Sequence, residues 1–256
     1  MSIWGEIGKA LNSTIKDQSK FESLDSMLRG IVGEIIVLDT PGTYTVRIPK
    51  IVKYAYVTAC GGGGGGGKGN VSYSNTSNGC GGGGGGGGQT VIKRVLDVSS
   101  KEKLDITVGT GGAQLQAGTP TVIDDLITLI GGSPGGSATG TNNGENQTAG
   151  SGGSGGGYYT DEGYTSNYGT MGERNTGTGS LNGDGGIGGR GLDVGGAGGV
   201  GYNSNSTSVN AGKNGSKGSG GGGGGGGRYV NGVITSSNGG KGGDGYVKIE
   251  WGLAAL

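Results

Sequence analysis

Three unbroken glycine runs, Gly61–Gly67, Gly81–Gly88 and Gly220–Gly227, limit what this chain can fold into more than any other feature. Polyglycine has no side chain to bury, loses the most conformational entropy on ordering and is a poor helix former. Each residue still carries one backbone donor and one acceptor. Left alone, such runs behave as flexible coil. Collagen needs glycine at every third position and abundant proline; unbroken runs in a chain with 4 prolines do not supply that pattern. The ordered alternative is an extended helix of three residues per turn, polyglycine II, whose amides and carbonyls point sideways. Lacking side chains, neighbouring helices can approach closely enough to pair through those groups. Seven or eight residues at ~3.1 Å each span ~22–25 Å, a fitting length for one small domain.

Strand patterns bracket the runs, which favours order over coil. Glu34 to Leu38 is strand-like and ends in the turn signal Asp39-Thr40-Pro41-Gly42. Tyr44, Val46 and Ile48 then alternate with Thr43, Thr45 and Arg47, and Val52 to Cys60 is rich in β-formers. Val247 to Trp251 alternates apolar and charged, as a closing strand would. Val91–Val98, Leu104–Val108 and Thr121–Ile130 are further strand candidates. The expected fold class is a mostly irregular/β chain with a short N-terminal helical segment, a small β framework and a packed array of polyglycine II helices. The expected divisions are a helical attachment segment at 1–33, a β connector at 34–60 and a glycine-rich domain at 61–256.

The helical expectation rests on Ile3, Ile7, Leu11 and Ile15, spaced by four with Trp4 beside them. Leu24, Met27, Leu28 and Ile31 form a second stripe. A helix this short must bury its stripe, on the protein's own body or on another chain. The second reading is adopted, because the remaining chain offers few aliphatic residues to pack against. No secretory signal is legible, so the chain is expected to be made in the cytoplasm.

The chain has 19 Lys plus Arg, 19 Asp plus Glu and no histidine. Zero net charge argues against nucleic-acid and anionic-membrane partners. Without histidine, the Ser-His-Asp and Cys-His hydrolases are excluded. Asp161, Glu162 and Glu173 could supply carboxylates, but no spacing sets two of them across a glycosidic bond, so no enzyme activity is expected.

The segments Gly42-Thr43-Tyr44-Thr45-Val46, Tyr56 to Gly61 and Gly242 to Trp251 look like the glycine-rich domain found at tips of bacteriophage tail fibres. The design is also similar to the fibre-tip adhesins of T-even-like phages, and the leader around Trp4 and Ala10 to Thr14 resembles the start of some tail proteins of phages of Gram-positive bacteria. The leader differs from that of the T-even-like adhesins. The resemblance covers residues 42–251. It implies an N-terminal attachment segment, here carried by Ile3, Trp4, Ile7, Leu11 and Ile15 and docked on a tail-fibre or tail protein. It further implies a sandwich of polyglycine II helices and distal loops that touch a host surface receptor, protein or glycan. The expected location is the virion, at the distal tail-fibre tip.

The candidate receptor-binding residues lie where the glycine segments are interrupted. Tyr158, Tyr159, Asp161, Tyr164, Asn167 and Tyr168 form the densest group. Tyrosine gives large, rigid contact area with a polar tip at low entropic cost, as in antibody loops; the alternative is a cluster of rings shielding one another at the end of the array. Tyr73, Tyr202, Arg228 and Tyr229 lie in lesser loops. If consecutive runs are antiparallel, alternate loops share one end.

Several motifs are discounted. Gly62 to Lys68 mimics a P-loop but has Gly69 where Ser or Thr must bind magnesium. Calcium-type nonapeptides near Gly188 and Gly239 do not stand in tandem. No cofactor and no metal are expected. Cys60 and Cys80 each precede a glycine run; an antiparallel pair would separate them by ~20 Å, whereas a parallel pair could let them meet, and the expectation is reduced thiols. The alternative function is a structural or ice-binding polyglycine bundle.

Overall fold

The computed structural model describes residues 34–72, 79–139, 152–153, 155, 158–160, 163–165, 184–197, 210–230, 233–235 and 237–252. The strands are β1 (Ile35–Leu38), β2 (Gly42–Arg47), β3 (Tyr54–Cys60), β4 (Val71–Ser72), β5 (Thr90–Asp97), β6 (Lys103–Val108), β7 (Thr121–Ile123), β8 (Ile127–Leu129), β9 (Tyr158–Thr160), β10 (Gly163–Thr165), β11 (Gly227–Val230), β12 (Val233–Thr235) and β13 (Tyr246–Gly252). They form a six-stranded sheet in the order β1-β13-β3-β5-β9-β10, a four-stranded sheet β2-β6-β7-β8 and a three-stranded sheet β12-β11-β4. The β5–β9 and β4–β11 pairs are parallel and the others antiparallel.

Period-two alternation builds the β core. β3 turns Ala55, Val57 and Ala59 inward, β13 turns Val247, Ile249 and Trp251, and β6 turns Leu104, Ile106 and Val108. Ile123 and Leu129 complete one shared cluster between the six- and four-stranded sheets. Fully burying each such aliphatic side chain contributes about 1.5–3 kcal/mol. The stretch Thr121–Ile130 is a hairpin, β7 and β8, turned at Asp124, whose φ is 48°. Strands from residues 34–60 pair with β5, β6 and β13, so they share this core with the later part of the chain.

Chain segments pass from these two sheets into a lattice of glycine segments. β3 continues into Gly61, Gln89 leads into β5, β6 leaves at Gly109, Pro120 precedes β7, β8 leaves through Gly131 and Gly245 precedes β13. From Gly61 to Gly69 the amides turn to three neighbours in rotation, at N···O distances of 2.7–3.1 Å. Gly61, Gly64 and Gly67 donate to Gln89, Gly86 and Gly83; Gly62 and Gly65 to Thr119 and Gln116; Gly63, Gly66 and Gly69 to Gly243, Gly240 and Ser237. The carbonyls rotate likewise. Gly62, Gly65 and Lys68 accept from Gly132, Gly135 and Ala138; Gly63 and Gly66 from Gly112 and Leu115; Gly64 and Gly67 from Gly221 and Gly224. This run therefore has six neighbours, antiparallel where it donates and parallel where it accepts. The rotation is the three-residue turn of an extended glycine helix.

Close approach makes glycine obligatory in the interior. A Cβ on Gly65 would lie 1.9 Å from the Ala113 carbonyl oxygen, and one on Gly64 would lie 2.0 Å from that of Ser133. The outer segments read differently. In residues 184–190, Asp184, Ile187 and Arg190 are exposed and pairs of glycines separate them. Asn238 and Lys241 repeat the pattern, and around Lys213 and Asn214 only one residue in three is glycine. A helix with neighbours on all sides needs glycine at every position of the turn, whereas a peripheral helix needs it only on the faces that meet backbone.

Side chains satisfy backbone groups where sheet gives way to lattice. Thr121 Oγ1 donates to the Cys60 carbonyl at 2.8 Å and accepts from the Gly109 amide at 3.0 Å. Asp244 accepts from the Gly111 amide at 2.8 Å and from Lys241 Nζ at 2.8 Å.

The expected class, mostly irregular/β with a short N-terminal helical segment, is corrected on these observations. Among the described residues there is no α-helix, and the β part consists of three sheets. The reason is compositional: the described chain is dominated by glycine, which disfavours the α-helix, and by β-branched residues. Nor are the glycine segments irregular, since their backbone groups pair on a strict period. Residues 1–33, on which the helical expectation fell, lie outside the described residues.

Candidate functional site

The run from Gly61 leads away from the two-sheet core, and that from Gly81 returns to it. Glu34 and Gly252, at the outer limits of the described chain, flank the edge of the core remote from the lattice: Ile35 pairs with Glu250 and Gly252 with Tyr54. At the opposite end of the lattice stands the three-stranded sheet. There Gly227 pairs with Val71 and Arg228 with Ser72. The Asn70 amide donates to the Cys80 carbonyl, and the Gly225 amide to that of Asn210. The molecule thus has a sheet end and a distal end, roughly 30 Å apart at the rise of such helices.

The sequence-derived binding residues divide between these two ends. Tyr158 and Tyr159 lie on β9, level with Thr90 and Val91 of β5, and Tyr164 on β10 is in register with Tyr159. This hairpin extends the six-stranded sheet at the junction of core and lattice. Arg228 and Tyr229 lie on β11 at the distal end, paired with Thr235 and Ile234. Asp161, Asn167, Tyr168, Tyr73 and Tyr202 fall outside the described residues, as do Ile3, Trp4, Ile7, Leu11 and Ile15. The residues that bracket two of the interruptions, Ser72 with Gly79 and Val230 with Val233, stand at the distal end, and so does Asn210, which follows a third.

A charged cleft of about 1290 Å³ at the remote edge of the core went unrecognised in the sequence. The segments around Arg47–Lys50 and Lys101–Lys103 line it, and Ile48, Pro49 and Val52 are its apolar lining residues. Two dense runs of cations, at 47–53 and 101–103, were the available signal; their convergence follows from the β2–β6 pairing. Lys101 Nζ lies 2.6 Å from Asp125 Oδ1 and 3.1 Å from Asp124 Oδ2. Lys103 Nζ lies 2.8 Å from Asp105 Oδ2, and Thr45 donates to the same carboxylate at 2.7 Å. The partner carboxylates raise the pKa of Lys101 and Lys103, and the lysines hold Asp125 and Asp105 below the usual carboxylate range. Charges of both signs therefore line the cleft, an arrangement suited to electrostatic recognition.

Both cysteines are buried and free. Cys60 stands at the sheet end and Cys80 at the distal end, too far apart for a disulfide. Burial pushes the Cys60 thiol up to about 12. Among the described residues no cluster of three or more His, Cys, Asp or Glu could hold a metal ion.

A family model described as a glycine-rich domain matches residues 39–252, well over half of the chain, and the protein therefore belongs to that glycine-rich domain family. Comparison with curated proteins finds no match.

Proposed function

We propose that this glycine-rich domain is an adhesin at the tip of a bacteriophage tail fibre. It recognises a host surface receptor, protein or glycan, through loops displayed by the glycine lattice. Residues 1–33 join it to a tail-fibre or tail protein. No catalytic step and no cofactor belong to this reading, and the virion is the place of action.

The observation that carries the reading is the polarity of the chain. Both outer limits of the described chain lie at the sheet end, while Arg228, Tyr229 and the brackets of several interruptions lie at the other. A lattice held by backbone pairing is stiff, so it can hold short polar segments away from their support. It offers no side-chain chemistry of its own, which leaves recognition to the interruptions. Tyrosine, asparagine and serine in those interruptions suit adaptable polar contact.

Adsorption competition tests the reading. Purified protein should bind intact host cells and block phage attachment. Replacing Arg228 and Tyr229 by alanine, or exchanging residues 158–168 for a Gly-Ser segment, then assigns the contact to the distal end or to the hairpin. Protein that leaves phage adsorption untouched and binds no cells sinks the proposal; arrest of ice growth by that same protein would favour a structural or ice-binding bundle.

A further inference from the structure

The cleft at the remote edge of the core carries an inference independent of the receptor reading. Arg47 stands directly opposite Lys103 in the β2–β6 ladder. Like charges so placed repel, and Lys50 and Lys101 line the same cleft. Two of the four cations have their compensation within the fold: Lys101 lies between Asp124 and Asp125, and Lys103 turns to Asp105. None of the described ion pairs includes Arg47 or Lys50, and Glu102 is the remaining charged group of the lining. Both of these cations are exposed, and they share the lining with the buried Ile48 and Val52.

Two features choose the occupant. The cleft, at about 1290 Å³, exceeds the range of about 300–1,000 Å³ usual for small-molecule sites. Its described lining contains no aromatic ring for a sugar to lie against. We propose that this cleft is the docking site for an extended acidic segment of a partner protein. Its carboxylates pair with Arg47 and Lys50 while its apolar side chains rest on Ile48, Pro49 and Val52.

The test uses the full chain and a capped peptide of alternating glutamate and valine, six residues long, with binding followed by fluorescence anisotropy. Saturable binding is expected that weakens as salt is raised. It should fall at least tenfold in the double variant Arg47→Glu, Lys50→Glu and stay unchanged in Lys213→Glu, which alters charge on the lattice instead. Both substituted cations are exposed, and an unaltered melting temperature checks that the fold is intact. No binding, or binding that the double variant leaves unchanged, overturns the proposal. Tighter binding of a sulfated oligosaccharide of equal charge overturns it in favour of a glycan. Cell adsorption by the double variant is read in parallel; its retention shows that the receptor reading stands or falls separately.

Discussion

Gly65 faces the carbonyl oxygen of Ala113 so closely that a Cβ on the glycine would lie 1.9 Å from it. The Gly65 amide meanwhile donates to Gln116 at 2.9 Å, on the returning limb of the same hairpin-like segment. Both contacts are backbone to backbone, so no side-chain rotation can make room. Gly65→Ala is therefore expected to destabilise the protein beyond the ~1–3 kcal/mol typical of overpacked side-chain cores. Ile187→Ala, at an exposed position of an outer helix, should stay within about 0.5 kcal/mol of the parent. Urea denaturation of the two variants checks the contrast.

The rotating hydrogen bonds give deletions a period. Removing Gly84 alone turns every later amide of that run by a third of a turn, away from its acceptor. Removing Gly83, Gly84 and Gly85 together shortens the run by one turn of ~9 Å but keeps each remaining face toward its own neighbour. The three-residue deletion should be the less damaging of the two, by melting temperature and by amide exchange in residues 218–225.

Thr121 is fully buried and its hydroxyl serves two backbone groups at once, the Cys60 carbonyl and the Gly109 amide. Thr121→Val preserves shape and strands both. A cost of about 1–3 kcal/mol for each buried group left unpaired is expected, and Thr121→Ser should recover most of it. Equilibrium denaturation of the pair separates lost hydrogen bonding from lost packing.

Burial raises the Cys60 thiol from 9.0 to about 12. Between those values the folded state keeps a proton that the unfolded state has lost, so this group's contribution to stability is complete below pH 9 and disappears as pH rises towards 12. In Cys60→Ala the fall in stability across that window should be shallower than in the parent. The thiol should also resist a disulfide reagent at pH 8 until the protein is unfolded. Prompt labelling of the native protein would contradict this.

Leu104 is wholly enclosed between the two sheets. Leu104→Ala should cost about 2–5 kcal/mol through lost transfer energy and the cavity it leaves. Because strands from both ends of the described chain share this core, the loss should appear as one cooperative transition of lower midpoint in calorimetry, not as selective melting of one part.

The strand segments were legible because their information is local. Tyr44, Val46 and Ile48, and likewise Val247, Ile249 and Trp251, alternate with polar residues. Thr121–Ile130 was readable as β but not as two strands, since its reversal depends on Asp124 taking a positive φ. The glycine-pair spacing around Asp184, Ile187 and Arg190 was on the page as a pattern, yet its meaning required knowing which faces of that helix meet backbone. The cleft had only its two runs of cations as a local signal, and nothing local joined them: Arg47 and Lys103 are 56 positions apart in number and meet only through the β2–β6 register.

By itself, the sequence determined that the long glycine runs must find backbone partners or remain coil. It also determined that neither histidine chemistry nor a large net charge is available to the protein. Only the tertiary structure decided which carbonyl each glycine amide meets, and therefore which runs are interior. It separated Tyr158 and Tyr159 from Arg228 and Tyr229 by the length of the lattice and held Cys60 and Cys80 apart. The physical reason is that glycines are identical in sequence. With no side chain to specify a neighbour, their partners are set by where the surrounding sheets and turns deliver each run.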